Sequence, residues 1–192
     1  MSKLAILGGE KAIKNDYTEC FKWPIITKEM EEKVLEVLRK GAMSGTDLTE
    51  EFEKEYATLY GMKYALCHNN GTSAIHSALF GLKIGKGDEV ICPSMTYWAS
   101  CLPVLSLGGT VVFADIDEES LCIDPNDIER HITEKTKCII VVHYAGYPAD
   151  MDRIIPIARK YNLKILEDCS HSHWCFYKGK LTGTFGDVSA FS

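Results

Sequence analysis

The chain has 192 residues, of which 46% are apolar and 25% charged, and its 21 basic against 27 acidic side chains leave a net charge of −6. That composition excludes disordered, collagenous and repeat proteins and suits one hydrophobic core or a large piece of one. The acidity and the lack of any Lys/Arg cluster argue against a nucleic-acid partner, and no apolar run approaches the ~20 residues that span a bilayer.

The start, Met1 to Gly9, is too short for a secretory h-region, so the chain reads as cytoplasmic. Eight cysteines without a C-x-x-C pair read as free thiols in a reducing compartment. Met30, Val34, Leu35 and Leu38 recur at helical spacing and predict an amphipathic helix over Lys28–Lys40, stopped by Gly41. A second helix is predicted over Thr49–Tyr60, with Phe52, Tyr56 and Leu59 on one face and Gly61 after it. Residues 1–60 thus form an N-terminal helical segment, and 61–192 an α/β domain.

From Gly61 onward short apolar strands alternate with helical stretches, the pattern of a mainly parallel central sheet with flanking helices. Strands are predicted at Tyr64–Cys67, Glu89–Cys92, Thr110–Asp115, Cys138–His143, Lys164–Glu167 and from Asp187 to Ser192. Helices are predicted at Thr72–Ile84, Tyr97–Leu107, Pro125–Ile132 and Asp150–Tyr161, the second and last each containing a proline that opposes a regular helix. Asp124 before Pro125 is an N-cap signal, and Tyr177-Lys178-Gly179-Lys180 is a surface hairpin turn. A chain that stops inside a strand is expected to be an incomplete domain, with its site only partly present.

Three predicted strand ends carry chemistry. Asn69-Asn70-Gly71-Thr72-Ser73 opens a helix, where unpaired N–H groups, the helix dipole and two hydroxyls suit a phosphate. The plainer alternative is an ordinary turn with Thr72 or Ser73 as N-cap. Neither a Walker A loop nor G-x-G-x-x-G is present. Pro93-Ser94-Met95-Thr96-Tyr97-Trp98 offers an aromatic plate for a flat ring, or plain packing. Glu167-Asp168-Cys169-Ser170-His171-Ser172-His173 ends a strand in a carboxylate pair followed by two histidines, fit to hold a protonated ring nitrogen and to move protons, or simply to cap a turn. A metal held by Asp168, Cys169, His171 and His173 matches no known ligand spacing and is not expected. A phosphate cradle, an aromatic plate and an acid are together the parts that hold pyridoxal phosphate.

These blocks resemble, in order, the N-terminal part of the DegT/DnrJ/StrS family of pyridoxal-phosphate aminotransferases, a fold-type I group. The resemblance is carried by Asn70-Gly71-Thr72-Ser73-Ala74, Gly87-Asp88-Glu89-Val90-Ile91, Thr96-Tyr97, Asp115-Ile116-Asp117, Ile123-Asp124-Pro125, Thr133-x-Lys135-Thr136-Lys137 and Val142-His143. It continues through Gly146-x-Pro148-Ala149-Asp150-Met151-Asp152, Glu167-Asp168, Tyr177-Lys178-Gly179-Lys180, Gly186-Asp187 and Phe191-Ser192. It implies that Gly71, Thr72 and Ser73 hold the cofactor phosphate, that Tyr97 stacks on the pyridine ring and that Asp168 pairs with its nitrogen. It further implies that His171 bonds near the ring hydroxyl and that Ser192 sits by the phosphate and the Schiff-base lysine.

That lysine is expected beyond Ser192, so no catalytic residue is assigned within the chain, which alone is expected to be inactive. Lys178 and Lys180 belong to an exposed hairpin and are not given the role. The segment His173-Trp174-Cys175-Phe176 departs from the small residues usual there, which bears on pocket shape. The resemblance implies a homodimer that moves an amino group from glutamate or glutamine to a nucleotide-linked keto sugar or a keto cyclitol, through pyridoxamine phosphate. Two rivals stand beside this reading: a pyridoxamine-phosphate-dependent sugar dehydratase of the same family, and a short non-catalytic chain that binds cofactor or a partner.

Overall fold

Apolar, β-branched runs such as Thr136-Lys137-Cys138-Ile139-Ile140-Val141-Val142 have no polar face to offer water, so they end up buried on both sides. In the computed structural model, which describes residues 3–41 and 44–192, five of these runs pair side by side in one sheet. They are β1 (Glu89–Pro93), β2 (Thr110–Ala114), β3 (Thr136–Val142), β4 (Lys164–Asp168) and β7 (Val188–Ala190). The order is β2-β1-β3-β4-β7 and every pairing is parallel. A small antiparallel hairpin joins β5 (Phe176–Tyr177) to β6 (Lys180–Leu181) around the predicted turn.

The pleat divides each strand between two cores. Ile91, Ile139, Val141 and Ile165 point to one side, against Ile128 of α5 (Pro125–Arg130) and Met151, Ile154 and Ala158 of α6 (Met151–Lys160). Val90, Cys92, Cys138, Ile140, Val142 and Leu166 point to the other, against Ile75 and Leu79 of α3 (Gly71–Gly81) and Val104 of α4 (Leu102–Ser106). The chain runs outward from β1 to β2 and then returns across β1 to β3, so the direction of strand order reverses beside β1. The carboxyl ends of strands at such a reversal are where open α/β sheets bind ligands.

Two compact units are present, Met1–Thr46 and Asp47–Ser192. The first contains α1 (Lys28–Lys40), whose bounds are those predicted: Thr27 Oγ1 accepts from Met30 N at 3.3 Å and Gly41 closes the helix in the left-handed region. Its apolar stripe, Met30, Val34, Leu35 and Leu38, is exposed. Met1, Ser2, Ala42 and Met43, which belong to the predicted N-terminal segment, lie outside the described residues. The second unit begins with α2 (Asp47–Tyr60). Its packed face centres on Tyr56 and the buried Tyr60, whose rings stack; Phe52, though its ring touches Tyr56, and Leu59 are both exposed.

Two predicted elements differ. Residues 64–67 form no strand, because no described segment pairs with them; the Cys67 N–H instead donates to Glu53 Oε1 at 2.7 Å. The helix expected from Tyr97 to Leu107 breaks into a 3-10 turn, Trp98–Ser100, and the short α4, since Pro103 fits only in a first helical turn, where its missing N–H has no partner to lose. Pro156, by contrast, stays inside α6 on its solvent side, where water can reach the carbonyl it leaves unpaired.

Candidate cofactor site

The pocket of about 300 Å3 at the carboxyl ends of β1, β3 and β4 is lined from five separate stretches of chain. Gly71 and Thr72 come from the start of α3, Thr96, Tyr97 and Ser100 from the turn after β1, Asp168 from the end of β4, His171 from the loop beyond it, and Ser192 from just after β7. Six of the seven residues proposed from the sequence therefore share one cavity; Ser73 is absent from its lining.

Ser73 has another role. Asn70, with extended backbone, is the N-cap of α3, and its Oδ1 accepts from Ser73 N at 2.9 Å; the cap is thus neither Thr72 nor Ser73. With that third amide taken, the N–H groups of Gly71 and Thr72 remain unpaired among the described residues and edge the pocket beside the Thr72 hydroxyl. Helix N-termini of this kind favour a phosphate by both hydrogen bonding and dipole. Gly71 is required by a close approach: a Cβ there would lie 2.6 Å from Ser192 Cβ and 2.8 Å from its Oγ.

On the facing wall Asp168 is buried yet fully engaged. Its Oδ2 accepts from Ser100 Oγ at 2.7 Å, and its Oδ1 from Ser170 N at 3.1 Å and Ser170 Oγ at 2.6 Å. Ser100 in turn contacts Thr96 Oγ1 at 2.7 Å. A carboxylate held by neutral hydroxyls keeps its charge available for a cation, such as a protonated ring nitrogen. Ser100 was missed from the sequence; its only signal was the i, i+4 spacing from Thr96 in the turn after β1.

Tyr97 presents a ring that is 62% exposed at the pocket mouth, edge-on to Trp98 with centroids 5.5 Å apart. His171 accepts at Nδ1 from the Ala145 N–H at 3.2 Å, so in the neutral ring the proton is on Nε2, which has no partner among the described residues. The residue holding it, Ala145, has φ of 50°, left-handed for a side-chain-bearing residue. Behind the site the Cys92 thiol donates to the Val90 carbonyl oxygen at 3.9 Å, and the adjacent Cys101 thiol together with burial raises the Cys92 thiol.

Glu167 and Asp168, adjacent in sequence, point to opposite faces of the sheet because side chains alternate along a strand. Only Asp168 reaches the pocket. Asp168, Cys169, His171 and His173 are not brought together as ligands; among the described residues the three groups close enough for a metal are His143, Glu167 and Cys169. His173 turns away, with Nε2 2.8 Å from the Ser192 carbonyl oxygen. Trp174, in the left-handed region, donates its N–H to Tyr60 Oη and packs edge-on to Tyr60 and Phe176. Lys178 is paired with Asp152, and Lys180 Nζ lies 4.3 Å from the Phe185 ring centre; neither enters the pocket.

A helix N-terminus, an aromatic plate and a buried carboxylate around a cavity at the strand ends define a site of the kind that holds pyridoxal phosphate. Residues 24–192 match the DegT/DnrJ/EryC1/StrS aminotransferase family, and the chain belongs to it. It is 42% identical over 170 residues to the GDP-perosamine synthase of Escherichia coli O157:H7, covering 88% of this chain and 47% of that one. It is 41% identical over 165 residues to a dTDP-3-amino-3,6-dideoxy-alpha-D-galactopyranose transaminase of Aneurinibacillus thermoaerophilus, covering 86% and 46%. Among solved structures, an aminotransferase from Psychrobacter cryohalolentis superposes with a TM-score of 0.85 at 41% identity, over 89% of this chain and 44% of that one. NtdA from Bacillus subtilis with bound pyridoxamine phosphate superposes with a TM-score of 0.78 at 35% identity, over 85% and 38%. The chain thus spans about half the length of the curated relatives it matches. The expected architecture, a mainly parallel sheet with flanking helices in a fold-type I large domain, is the one observed.

Proposed function

We propose that the protein to which this chain belongs is a pyridoxal-phosphate-dependent aminotransferase. It moves an amino group from glutamate or glutamine to a keto sugar carried on a nucleotide, or to a keto cyclitol. The observation that carries this reading is the facing pair in one cavity: unpaired amides at the start of α3 on one wall and the buried Asp168 carboxylate on the other. The named relatives act in amino-sugar formation, which supports the keto-sugar half of the proposal.

In this reading the amides of Gly71 and Thr72, with the hydroxyls of Thr72 and Ser192, bind the phosphate, and Tyr97 covers the ring. Ser73 supports the seat through its bond to Asn70 rather than by direct contact. Asp168, fixed by Ser100 and Ser170, holds a proton on the ring nitrogen. His171 donates from Nε2 toward the ring oxygen, its tautomer set by Ala145. When bound, the cofactor supplies an electron sink for the carbon that loses its proton. The anchoring lysine belongs beyond Ser192, the active unit is a cytoplasmic homodimer, and residues 1–192 alone are inactive.

The test is the intact mass of the protein from its own cells after borohydride reduction, which makes a lysine-bound cofactor permanent. A phosphopyridoxyl increment on a chain heavier than 21.5 kDa supports the proposal. A heavier chain that binds pyridoxamine phosphate and takes no adduct favours the sugar dehydratase, and a bare 192-residue product favours the non-catalytic chain.

A further inference from the structure

Glu167 and His143 are wholly buried, ionisable and outside the pocket, and the proposed reaction uses neither. The Glu167 carboxylate receives four donors. Oε1 accepts from Phe185 N at 2.7 Å and Gly186 N at 2.6 Å, and Oε2 accepts from Gly183 N at 2.8 Å and from His143 Nε2 at 3.0 Å. The tautomer follows from the other ring atom: His143 Nδ1 accepts from Ala149 N at 3.1 Å, so the proton is on Nε2 and is given to Glu167. Both glycines of the turn are there for close approach, since a Cβ on Gly183 would strike the Phe191 ring at 2.4 Å and one on Gly186 the Ile165 carbonyl oxygen at 2.7 Å.

Each loop tied down in this way leads to a pocket residue. The turn 183–186 feeds β7 and so sets Ser192 against Gly71. The loop 143–149 contains Ala145, whose N–H orients His171, and Gly146, where a Cβ would come within 3.1 Å of the His171 carbonyl oxygen. We propose that Glu167 and His143 form a positioning pair that seats the cofactor from beneath the sheet. Glu167 aligns the phosphate side through Ser192, and His143 aligns the ring side through His171. This rests on the reading of the pocket as a pyridoxal-phosphate site. A metal at His143, Glu167 and Cys169 is disfavoured by the same bonds: both ring nitrogens and both carboxylate oxygens already have partners, and burial pushes the Cys169 thiol up, away from the thiolate a metal needs.

The test uses the full-length protein with Glu167→Gln and His143→Gln. The glutamine amide at 167 must turn a donor toward N–H groups whichever way it faces, so the turn 183–186 loses its seat although volume is kept. Glu167→Gln is expected to weaken binding of pyridoxal phosphate and of inorganic phosphate alike by about tenfold to a hundredfold and to move the 31P resonance of bound cofactor. His143→Gln leaves the three loop amides on Glu167 and is expected to shift the cofactor absorption band with little change in the 31P signal. Amide hydrogen exchange, which needs no ligand, should quicken at 183–192 in the first variant and at 143–149 in the second. Lowered melting temperature with unchanged phosphate affinity, 31P position and local exchange overturns the proposal and leaves the pair a plain core contact. Wild-type protein that binds no pyridoxal phosphate sinks the cofactor reading, while the exchange pattern still decides the positioning of the two loops.

Discussion

Replacing Gly71 by alanine places a methyl group where Ser192 already sits. The new carbon would lie 2.6 Å from Ser192 Cβ, roughly 1 Å inside the ~3.5–4.0 Å at which carbon atoms rest, so one of the two segments must move. Gly71 has no left-handed φ, so alanine meets no backbone strain and gains up to about 1 kcal/mol of helix preference. Overpacking costs about 1–3 kcal/mol, which leaves a net loss of about 0–3 kcal/mol and a folded protein. The exposed Ser192 yields more readily than the capped helix, so its hydroxyl leaves the proposed phosphate seat. The loss of one charge-assisted hydrogen bond then weakens pyridoxal-phosphate binding by about tenfold to a hundredfold. Thermal unfolding and cofactor titration of Gly71→Ala, Ser192→Gly and the double variant form a cycle that isolates the contact. With both Ser192 side-chain atoms gone, adding the methyl should cost little more. Unchanged affinity in Gly71→Ala, or an equal penalty in the Ser192→Gly background, would refute the reasoning.

Other expectations are read from the same structure. Asp168→Ala should abolish tight cofactor binding and Thr72→Ala should weaken it; unchanged titrations in both would remove the site assignment. Leu79→Ala, at a fully buried position between α3 and the sheet, should cost about 2–5 kcal/mol in chemical denaturation, and a loss well under this would mean that the core closes around the gap. Asp127 is held below its ordinary 3.8, chiefly because it accepts the Asp115 N–H at 2.6 Å, with Arg130 adding to the effect. Since the folded value is the lower one, its stabilisation is full above the unfolded value and is lost as pH falls through the folded value. Asp127→Asn should therefore destabilise at pH 7 and lose that difference in acid; a gap that persists at low pH would contradict the assignment.

Much of the fold was legible because it is local. The run Cys138 to Val142 is apolar without interruption, and only a strand covered on both sides buries such a run completely. The α1 bounds were readable because Thr27 and Gly41 carry the cap and stop chemistry in their own side chains or lack of one. Residues 64–67 misled for the opposite reason: their composition suits a strand, but a strand exists only with a partner. The face of α2 was misjudged at Leu59 because periodicity identifies a stripe, whereas Trp174 and Phe191, far away in the chain, decide that Tyr60 is the residue to cover.

Of the pocket, the strand-end motifs pointed to the stretches 69–73, 93–98 and 167–173, whereas the family resemblance supplied the individual residues Gly71, Thr72, Tyr97, Asp168, His171 and Ser192, which line one cavity. The partners that make those residues usable were not legible. Ser100 beneath Asp168, Ala145 behind His171 and Ser192 against Gly71 are contacts between segments distant in sequence. The division of Glu167 from Asp168 into a carboxylate beneath the sheet and one in the pocket likewise needed both faces in view. By itself the sequence determined most element types, the two-sided burial of the sheet and the stretches at its carboxyl edge, because hydrophobic period and capping act over a few residues. Only the tertiary structure decided strand order and which carboxylate serves the pocket, because a buried polar group takes its role from donors that the fold delivers from elsewhere in the chain.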